Sequence, residues 1–308
     1  MTAIESRSVM NGDRAEDIQG MLARVGYVAD RPLALALTLQ ENLDRPLLLE
    51  GDAGVGKTAV AQALADGLEC RLIRLQCYEG LDANTAVYEW NYQHQLMTIR
   101  LQESAGRPTD QLEQDIFAER FLLRRPLLEA ISQPEPPILL IDEIDRADEE
   151  FEAFLLEVLS DYQITIPELG SVKARSIPRV VLTSNGMRDL SDALRRRCLY
   201  FFLDYPSPQR EREIVEARLP GVGHRLAGQV VAFVQTLRGM ELRKVPGIAE
   251  TLDWAAALAG MGIDDLLAAR EQLPDTFVCL IKTQEDRHRL GQETLDRLME
   301  AAREGAEG

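Results

Sequence analysis

The chain has 308 residues, a length that accommodates one large domain or two smaller ones. Its 34 basic and 51 acidic side chains give a formal net charge of −17 at pH 7. Because nucleic-acid-binding proteins and proteins attracted to anionic membranes carry basic surfaces, this charge disfavours both classes.

The first 13 residues contain no apolar core of the secretory-signal type, and no apolar run approaches the length of a membrane span. We therefore expect a cytoplasmic protein without a membrane span. The few histidines and the lack of Cys-x-x-Cys spacing argue against a zinc site. Free thiols are expected at the four cysteines, Cys70, Cys77, Cys198 and Cys279.

The chain is predicted to become helical after a polar segment, residues 1–17, that we expect to be loose. Helical spacing of apolar residues covers 18–39 and is interrupted near Gly26 and Pro32. Because proline is favoured in the first turn of a helix, a second helix is predicted to start near Pro32 and to reach Leu43.

A glycine-rich segment follows the first predicted strand, Pro46–Glu50, and precedes a helical Ala/Leu pattern at Ala59–Leu68. It fits the phosphate-loop pattern of Gly, four residues, Gly, Lys and Ser/Thr. Its residues are Gly51, Asp52, Ala53, Gly54, Val55, Gly56, Lys57 and Thr58. The strand–loop–helix setting favours a phosphate loop over the alternative, a glycine-rich turn before a helix.

The residues of the phosphate loop have separate predicted roles. Gly51, Gly54 and Gly56 let the backbone curl so that successive N–H groups point into one concavity, beside the positive end of a helix dipole. Lys57 is predicted to reach the β- and γ-phosphates of a nucleotide, and Thr58 to place its hydroxyl on Mg²⁺.

The next segment is predicted to contain a strand at Arg71–Gln76 and a helix at Ala86–Glu103 that is rich in aromatic side chains. These side chains are either a core-facing helix face with scattered surface rings or part of an insertion that contacts a partner. A polar surface loop is predicted at Ala105–Glu113, and a further helix at Ile116–Ile131.

Two acidic residues, Asp142 and Glu143, directly follow the buried strand predicted at Ile138–Ile141. Ligands of open α/β sheets bind at the carboxyl ends of the strands. Asp142 is therefore predicted to hold Mg²⁺, and Glu143 to orient the water that attacks the γ-phosphate, the alternative being an acidic loop after a strand. An acidic helix at Glu149–Leu159 and a hairpin over 163–176 are predicted next.

The following strand, Arg179–Thr183, ends just before Asn185, which is predicted to hydrogen-bond the attacking water or the γ-phosphate. The alternative is a turn residue before Gly186. A helix at Leu190–Arg197 ends in Arg195, Arg196 and Arg197. These cations suit the negative end of a helix dipole, or they supply an arginine finger to the γ-phosphate of a neighbouring subunit.

Alternating strands and helices, closed by a strand at Leu199–Leu203, predict an α/β fold with a parallel sheet. Pro206 and Pro208 mark a boundary between a nucleotide-binding domain, 1–206, and a helical lid domain, 207–308. The lid helices are predicted at Arg210–Arg218, His224–Met240, Gly247–Ala259, Leu266–Leu273 and Leu290–Arg303.

Together these motifs resemble those of AAA+ ATPases. Gly51–Thr58 is similar to Walker A, Ile138–Glu143 to Walker B with its catalytic glutamate, and Asn185 to sensor 1. The hairpin between Walker B and sensor 1 resembles that of the MoxR branch. Within this branch, Arg71–Gly80 and Val245–Trp254 look like the CoxD-type ATPases of carbon monoxide dehydrogenase maturation. CbbQ and NorQ are similar at a greater distance.

The resemblance implies a P-loop NTPase fold of the AAA+ type, with a parallel five-stranded sheet flanked by helices and followed by an all-α lid. It implies ATP and Mg²⁺ as cofactors and a hexameric ring with the ATP site between subunits, where Arg197, and after it Arg196, fits the finger position. It also implies a chaperone that matures a metalloenzyme client, a molybdenum hydroxylase of the carbon monoxide dehydrogenase type, with a separate von Willebrand A domain protein as partner.

One stretch departs from the pattern of the MoxR branch, in which many members carry a sensor-2 arginine at the start of a lid helix. The matching residues here are Pro246–Ala249, and the nearest cations are Arg243 and Lys244, so this role is unassigned. Two other function classes are a nucleic-acid motor or loader and an ATP-gated scaffold with little turnover. The acidic charge argues against the first, and the Asp142–Glu143 pair against the second.

Overall fold

The computed structural model describes residues 3–104 and 116–306, and the predicted loop at Ala105–Glu113 lies outside them. The chain divides into two compact units. The first comprises the described parts of Met1–Ile18, Pro32–Glu50 and Leu64–Phe202, and the second those of Gln19–Arg31, Gly51–Ala63 and Leu203–Gly308. The sequence predicts a single boundary near residue 206, whereas two earlier segments of the chain group with the C-terminal residues.

The first unit is built on a five-stranded sheet in which all neighbouring strands are parallel. In pairing order the strands are β2 (Leu72–Gln76), β5 (Ile138–Asp142), β8 (Arg179–Ser184), β1 (Leu47–Glu50) and β9 (Leu199–Phe202). The parallel sheet predicted from the alternation of strands and helices is therefore confirmed.

The register of the sheet brings the carboxyl ends of its central strands to one edge. Every residue of β5 is buried, as expected for a parallel strand covered on both faces. Leu182 of β8 lies opposite Ile141 of β5, and Ser184 lies opposite Glu50 at the end of β1. The residues that follow β5 and β8 therefore start from the same edge of the sheet.

The first helices are α1 (Ala3–Arg24), α2 (Arg31–Leu43) and α3 (Lys57–Gly67). Pro32 is the second residue of α2, as its preference for the first turn predicts. Residues 3–17 were expected to be loose, but they are helical and continue without a break into the predicted helical pattern.

The single helix predicted over Ala86–Glu103 is wrong. The chain forms α4 (Ala83–Val87), β3 (Tyr88–Trp90) and α5 (Tyr92–Ser104) instead. Trp90 is buried and packs edge-on against Phe117, whereas Tyr92 is exposed. Aromatic residues favour strands when a partner strand is present, and β3 pairs with a distant strand that helical periodicity does not reveal.

That partner strand also explains why the helix predicted over Ile116–Ile131 is wrong. A short 3₁₀ turn, Glu119–Phe121, leads into β4 (Leu122–Arg124), which runs antiparallel to β3. Within the predicted range, Ile116 and α6 (Pro126–Ile131) are α-helical, and α6 has proline at its first position.

The remainder of the first unit agrees with its sequence patterns. The acidic helix is α7 (Glu149–Asp161), and the side chain of Asp148 caps it by accepting a hydrogen bond from Phe151 N at 2.8 Å. The predicted hairpin is confirmed as β6 (Gln163–Ile166) paired antiparallel with β7 (Gly170–Lys173). The arginine-rich helix is α8 (Asp192–Arg197).

From Leu203 to residue 306 the described chain consists of helices and turns. The helices are α9 (Pro208–Arg218), α10 (His224–Arg238), α11 (Ile248–Gly260), α12 (Leu273–Thr276), α13 (Gln284–Arg289) and α14 (Gln292–Gly305). Their core contains three packed rings, with centroid distances of 4.8 Å for Phe233–Trp254 and 5.8 Å for Phe233–Phe277. This cluster is separate from the core that surrounds the sheet.

The helix predicted over Leu266–Leu273 is wrong, because residues 266–272 form successive turns and α12 begins only at Leu273. Ala269 N donates to Leu266 O, and Gln272 N donates to Ala269 O, so these bonds join residues three apart rather than four. Leu266 N itself donates to the side chain of Gln229 at 2.9 Å. A tertiary side-chain bond thus replaces a regular helical start.

Candidate functional site

The phosphate loop, Gly51–Thr58, follows β1 in the chain and runs into α3. Gly54 and Gly56 have φ values of +87° and +95°, a region that L side chains rarely adopt. Gly51 is required for space, because a Cβ atom there would lie 2.1 Å from Leu203 O. The curled backbone predicted for the loop is thus present, and each glycine has a local reason.

Lys57 is almost fully buried, with 6% of its surface exposed. Its Nζ donates hydrogen bonds to Gly51 O and Asp52 O, both at 2.7 Å, so the ammonium lies over the loop itself. The next residue, Thr58, is exposed in the first turn of α3. The ammonium and the hydroxyl therefore belong to the first two residues of α3, at the positive end of its helix dipole.

Two loop amides are available to an anion. Among residues 3–104 and 116–306, the N–H groups of Gly54 and Gly56 have no protein acceptor. Backbone N–H groups without a partner cost free energy unless water or a ligand accepts from them. Together with the lysine and the start of α3, they form a donor set that fits the oxygens of a phosphate group.

Asp142 is the last residue of β5, and 2% of its surface is exposed. Its Oδ1 accepts from the hydroxyl of Thr183 at 2.6 Å, and its Oδ2 accepts from the guanidinium of Arg74 at 2.5 Å. A carboxylate offers oxygen ligands of the kind that Mg²⁺ prefers.

Glu143 sits in the left-handed region at φ +55°, an uncommon conformation for a residue with a side chain. Its backbone N–H donates to the hydroxyl of Thr183 at 2.8 Å, so one threonine contacts both acidic residues. The Glu143 Oε2 atom accepts from Gln76 at 3.0 Å and from Arg146 at 2.9 Å. Donors from β2 and from the turn after β5 thus fix the direction of this carboxylate.

The residues that support these carboxylates were not predicted from the sequence. Arg74 and Gln76 lie two positions apart on β2, the strand that pairs with β5, and Thr183 lies near the end of β8 on its other side. Polar side chains at alternate positions of a predicted strand were the available signal for the first two. Their partners became evident only from the order of strands in the sheet.

Asp145 is a further missed residue, and it supports Asn185. It is 4% exposed, and its Oδ2 accepts from Asn185 N and Met187 N, both at 3.0 Å. Its Oδ1 is buried without a hydrogen-bond partner among the described residues. Asn185 itself is half-buried and directly follows β8, beside the strand that ends in Asp142. The available signal for Asp145 in the sequence was an acidic residue two positions after Glu143.

Replacing Asp145 with alanine is expected to lower the free energy of unfolding by about 2 kcal/mol, because two backbone N–H groups lose a charged acceptor. Urea denaturation measures this change, and amide exchange should show faster exchange at Asn185 and Met187. Asp145→Asn keeps an oxygen acceptor and is the matched control, with less than half of the loss. Equal stability of Asp145→Ala and the wild type would contradict this role.

The carboxylates at this edge make the local potential negative. Burial, followed by the charges of Asp142, Asp145 and Glu143, raises the pKa of the Cys77 thiol to about 12. Cys77 therefore stays protonated at neutral pH. None of the four cysteines forms a disulfide. A negative edge of this kind attracts cations.

No cluster of three or more His, Cys, Asp or Glu side chains that could hold a metal ion is present within 3–104 and 116–306. Mg²⁺ requires no such cluster, because it is commonly bound through one or two carboxylates, substrate phosphates and water. The hydroxyl of Thr58 and the carboxylate of Asp142 are each oxygen ligands of a type that Mg²⁺ accepts. None of the helices that the structure describes has the length and apolar character needed to cross a bilayer.

The three arginines at the end of α8 have different environments. Arg195 pairs with Glu50 at 3.2 Å, and the guanidinium of Arg197 donates to Leu159 O at 3.0 and 3.3 Å. Arg196 is exposed, and its guanidinium has no ion pair or hydrogen bond within the part of the chain that the structure describes. The first and third arginines therefore stabilise the fold, whereas the second extends into solvent.

Of the two cations considered for the sensor-2 role, Arg243 and Lys244, only Arg243 has a side chain in a described ion pair. The guanidinium of Arg243 pairs with Glu285 at 3.1 Å, and the backbone N–H groups of Arg243 and Lys244 donate to Asp286. These bonds lower the pKa of the Asp286 carboxyl, with that from Arg243 N as the largest contribution. The sensor-2 role is still unassigned.

Residues 46–198 match the model of a protein family described as "AAA domain (dynein-related subfamily)". The chain is 25% identical over 239 residues to the denitrification regulatory protein NirQ of Pseudomonas aeruginosa. The aligned region covers 75% of this chain and 82% of NirQ. It is 28% identical over 206 residues to an uncharacterized protein of Staphylococcus haemolyticus, with 65% of this chain and 70% of the relative covered. An uncharacterized protein of Staphylococcus aureus is 26% identical over 207 residues, with the same coverage.

Proposed function

Because residues 46–198 match the family model of an AAA domain, we propose that this protein binds ATP with Mg²⁺, hydrolyses it and uses the hydrolysis to remodel a client protein. The observation that carries the proposal is the phosphate loop. Two of its glycines hold left-handed backbone, two of its amides lack a protein acceptor, and its lysine lies over the loop. This arrangement is suited to a nucleotide's phosphate groups.

The proposed roles follow from the chemistry of each side chain. Residues 51–58 bind the phosphates, with Thr58 and Asp142 as the oxygen donors to Mg²⁺. When bound, Mg²⁺ neutralises charge on the β- and γ-phosphate oxygens. Glu143 orients the attacking water and accepts its proton, and Asn185 hydrogen-bonds that water or the γ-phosphate.

We assign the protein to the MoxR branch, closest to the CoxD-type ATPases. The similarity to NirQ, whose name describes a regulator of denitrification, supports a regulatory role. The client in this proposal is a molybdenum hydroxylase of the carbon monoxide dehydrogenase type. The proposed cellular setting is the cytoplasm, with a von Willebrand A domain protein as partner and a hexameric ring as the working assembly.

The test of the proposal is phosphate release from ATP by the purified protein, with Mg²⁺ present and with the metal removed by a chelator. We expect turnover that requires Mg²⁺ and that falls when GTP replaces ATP. Mass measurement in solution with ATP should show a ring larger than a dimer. Stimulation of turnover by DNA that disappears at high salt would instead favour a nucleic-acid motor.

The exposure of Arg196 supports it as the residue that reaches the nucleotide of a neighbouring subunit. From the sequence, Arg197 is the first candidate for this arginine finger and Arg196 the second. The guanidinium of Arg197 already donates to Leu159 O, and moving it would leave that carbonyl without these donors. Arg196 would lose no described contact.

Arg196→Ala is expected to lower the hydrolysis rate about tenfold, the equivalent of one hydrogen bond to a charged group. Mixing Arg196→Ala subunits with Glu143→Gln subunits should restore part of the activity, because each protein supplies what the other lacks. Arg197→Ala is the matched comparison and should lower thermal stability more than activity. A mixture that stays inactive at every ratio would contradict a finger supplied in trans.

A further inference from the structure

The phosphate loop is held in place by donors from the C-terminal part of the same structural unit. Ile248 N donates to Gly54 O at 2.9 Å, and the hydroxyl of Tyr205 donates to Ala53 O at 3.3 Å. These carbonyls belong to the peptides that also carry the N–H groups of Gly54 and Val55. In a trans peptide the carbonyl and the N–H point in opposite directions. Donors on the carbonyls therefore turn these N–H groups away from the protein.

The contact at Gly54 is close enough to require glycine on both sides. A Cβ atom on Gly247 would lie 2.6 Å from Gly54 Cα and 2.8 Å from Gly54 O. A Cβ atom on Gly54 would lie 2.9 Å from Gly247 Cα. Gly247 is also the N-cap of α11, where its N–H donates to the carboxylate of Glu250 at 3.0 Å. The start of α11 is thus seated directly on the loop backbone.

One buried ion pair supports both donors. Arg238 and Glu211 form two hydrogen bonds of 2.6 Å, with side-chain exposures of 7% and 0%. The Nε of Arg238 donates to Pro246 O at 2.7 Å, immediately before Gly247. The same guanidinium lies over the ring of Tyr205, 4.8 Å from its centroid. A single side chain therefore contacts both segments that hold the phosphate loop.

We propose that Arg238 is a positioning residue that orients the N–H groups of the phosphate loop through Pro246–Ile248 and Tyr205. It acts without touching the nucleotide, because its guanidinium is committed to Glu211, Pro246 and Tyr205. The proposal rests on the function proposed above, ATP binding at this loop. In this proposal Arg238 sets the affinity for the nucleotide through Pro246–Ile248, the stretch in which the sensor-2 arginine was expected.

Ile248→Pro removes the donor to Gly54 O with little other change. Ile248 is the first residue of α11, where proline is favoured, and Gly247 has extended backbone, at φ −85° and ψ −173°, which a following proline accepts. Ile248→Ala is the matched control, because it also loses side-chain atoms of isoleucine but keeps the backbone N–H that donates to Gly54 O. With a fluorescent ATP analogue and Mg²⁺, Ile248→Pro should bind about tenfold more weakly than Ile248→Ala.

Arg238→Lys tests the ion pair while keeping a cation beside Glu211. It loses the Nε donor to Pro246 O and the planar contact with Tyr205, so the KM for ATP should rise several-fold. The kcat should stay within about twofold of the wild type, because uniform binding is lost rather than a transition-state contact. If Arg238 only stabilised the fold, Arg238→Lys would lower the melting temperature but would not raise the KM while leaving the kcat unchanged.

The double variant Arg238→Lys/Ile248→Pro decides whether the two residues act through one contact. If they do, the combined loss of affinity should be smaller than the product of the two single losses, since the contact through Ile248 is already broken and only the contact through Tyr205 is left for Arg238→Lys to weaken. Losses that multiply independently, or an Ile248→Pro protein that binds as tightly as Ile248→Ala, would overturn the proposal. A folded wild-type protein that binds no ATP would overturn the proposed function, and this inference with it.

Discussion

Replacing Glu143 with glutamine is expected to leave ATP bound while lowering the hydrolysis rate at saturating ATP by about 10²- to 10⁴-fold. A positioned general base contributes rate accelerations of this size. Glutamine has the same shape and still accepts hydrogen bonds from Gln76 and Arg146 through its oxygen, but it cannot take a proton from water. Phosphate release and the dissociation constant for ATP, measured on the same preparation, separate the two effects.

The matched control for this variant is Glu150→Gln, an exposed position in the first turn of α7 on the same unit. It removes the same charge and should hydrolyse ATP at the rate of the wild type. Hydrolysis by Glu143→Gln at an unchanged rate would refute the role of Glu143 as the base. The inactive variant also retains ATP, so it is the form with which to capture the client from cells of the source organism.

Replacing Lys57 with alanine is expected to weaken ATP binding by about 100-fold or more, which also abolishes measurable turnover at ordinary ATP concentrations. Hydrogen bonds from a charged group to phosphate oxygens contribute about 1.5–3 kcal/mol each, and Lys57 is assigned to two phosphates. Calorimetric titration with ATP and Mg²⁺ measures the change. The melting temperature of the variant should no longer rise when ATP is added.

Lys282→Ala is the matched control for Lys57→Ala, because Lys282 is exposed and belongs to the same structural unit. It should bind ATP as the wild type does. Lys57 also donates to Gly51 O and Asp52 O, so its removal loosens the loop as well as deleting a charge. ATP binding that survives in Lys57→Ala would show that the phosphates do not rely on this ammonium, and would contradict the assignment of the loop.

The chain order of the sheet strands could be predicted from the sequence because each of them carries its own signal. A strand such as Ile138–Asp142 is buried on both faces, so its residues are apolar without alternation. The phosphate loop was equally evident, because left-handed backbone requires glycine and the lysine follows at a set spacing. Asp142 and Glu143 were found for a related reason, since they end an apolar strand.

Contacts between residues that are distant in sequence were decided only by the tertiary structure. The strand Tyr88–Trp90 forms because Leu122–Arg124 lies beside it, and local periodicity contains no information about that partner. The support of Glu143 by Gln76, across 67 residues, is of the same kind. Such residues carry no spacing signal, because only the order of strands in the sheet makes them neighbours.

The sequence by itself therefore determined the backbone of the loop, the buried strands and the acidic residues that end one of them, since these depend on local conformation and burial. The tertiary structure alone decided which side chains hold them in place. Arg238 reads as an ordinary cation in a helix pattern, yet folding buries it against Glu211 and Tyr205. A buried charge needs a partner, and the partner of a given residue is chosen by packing rather than by its neighbours in the chain.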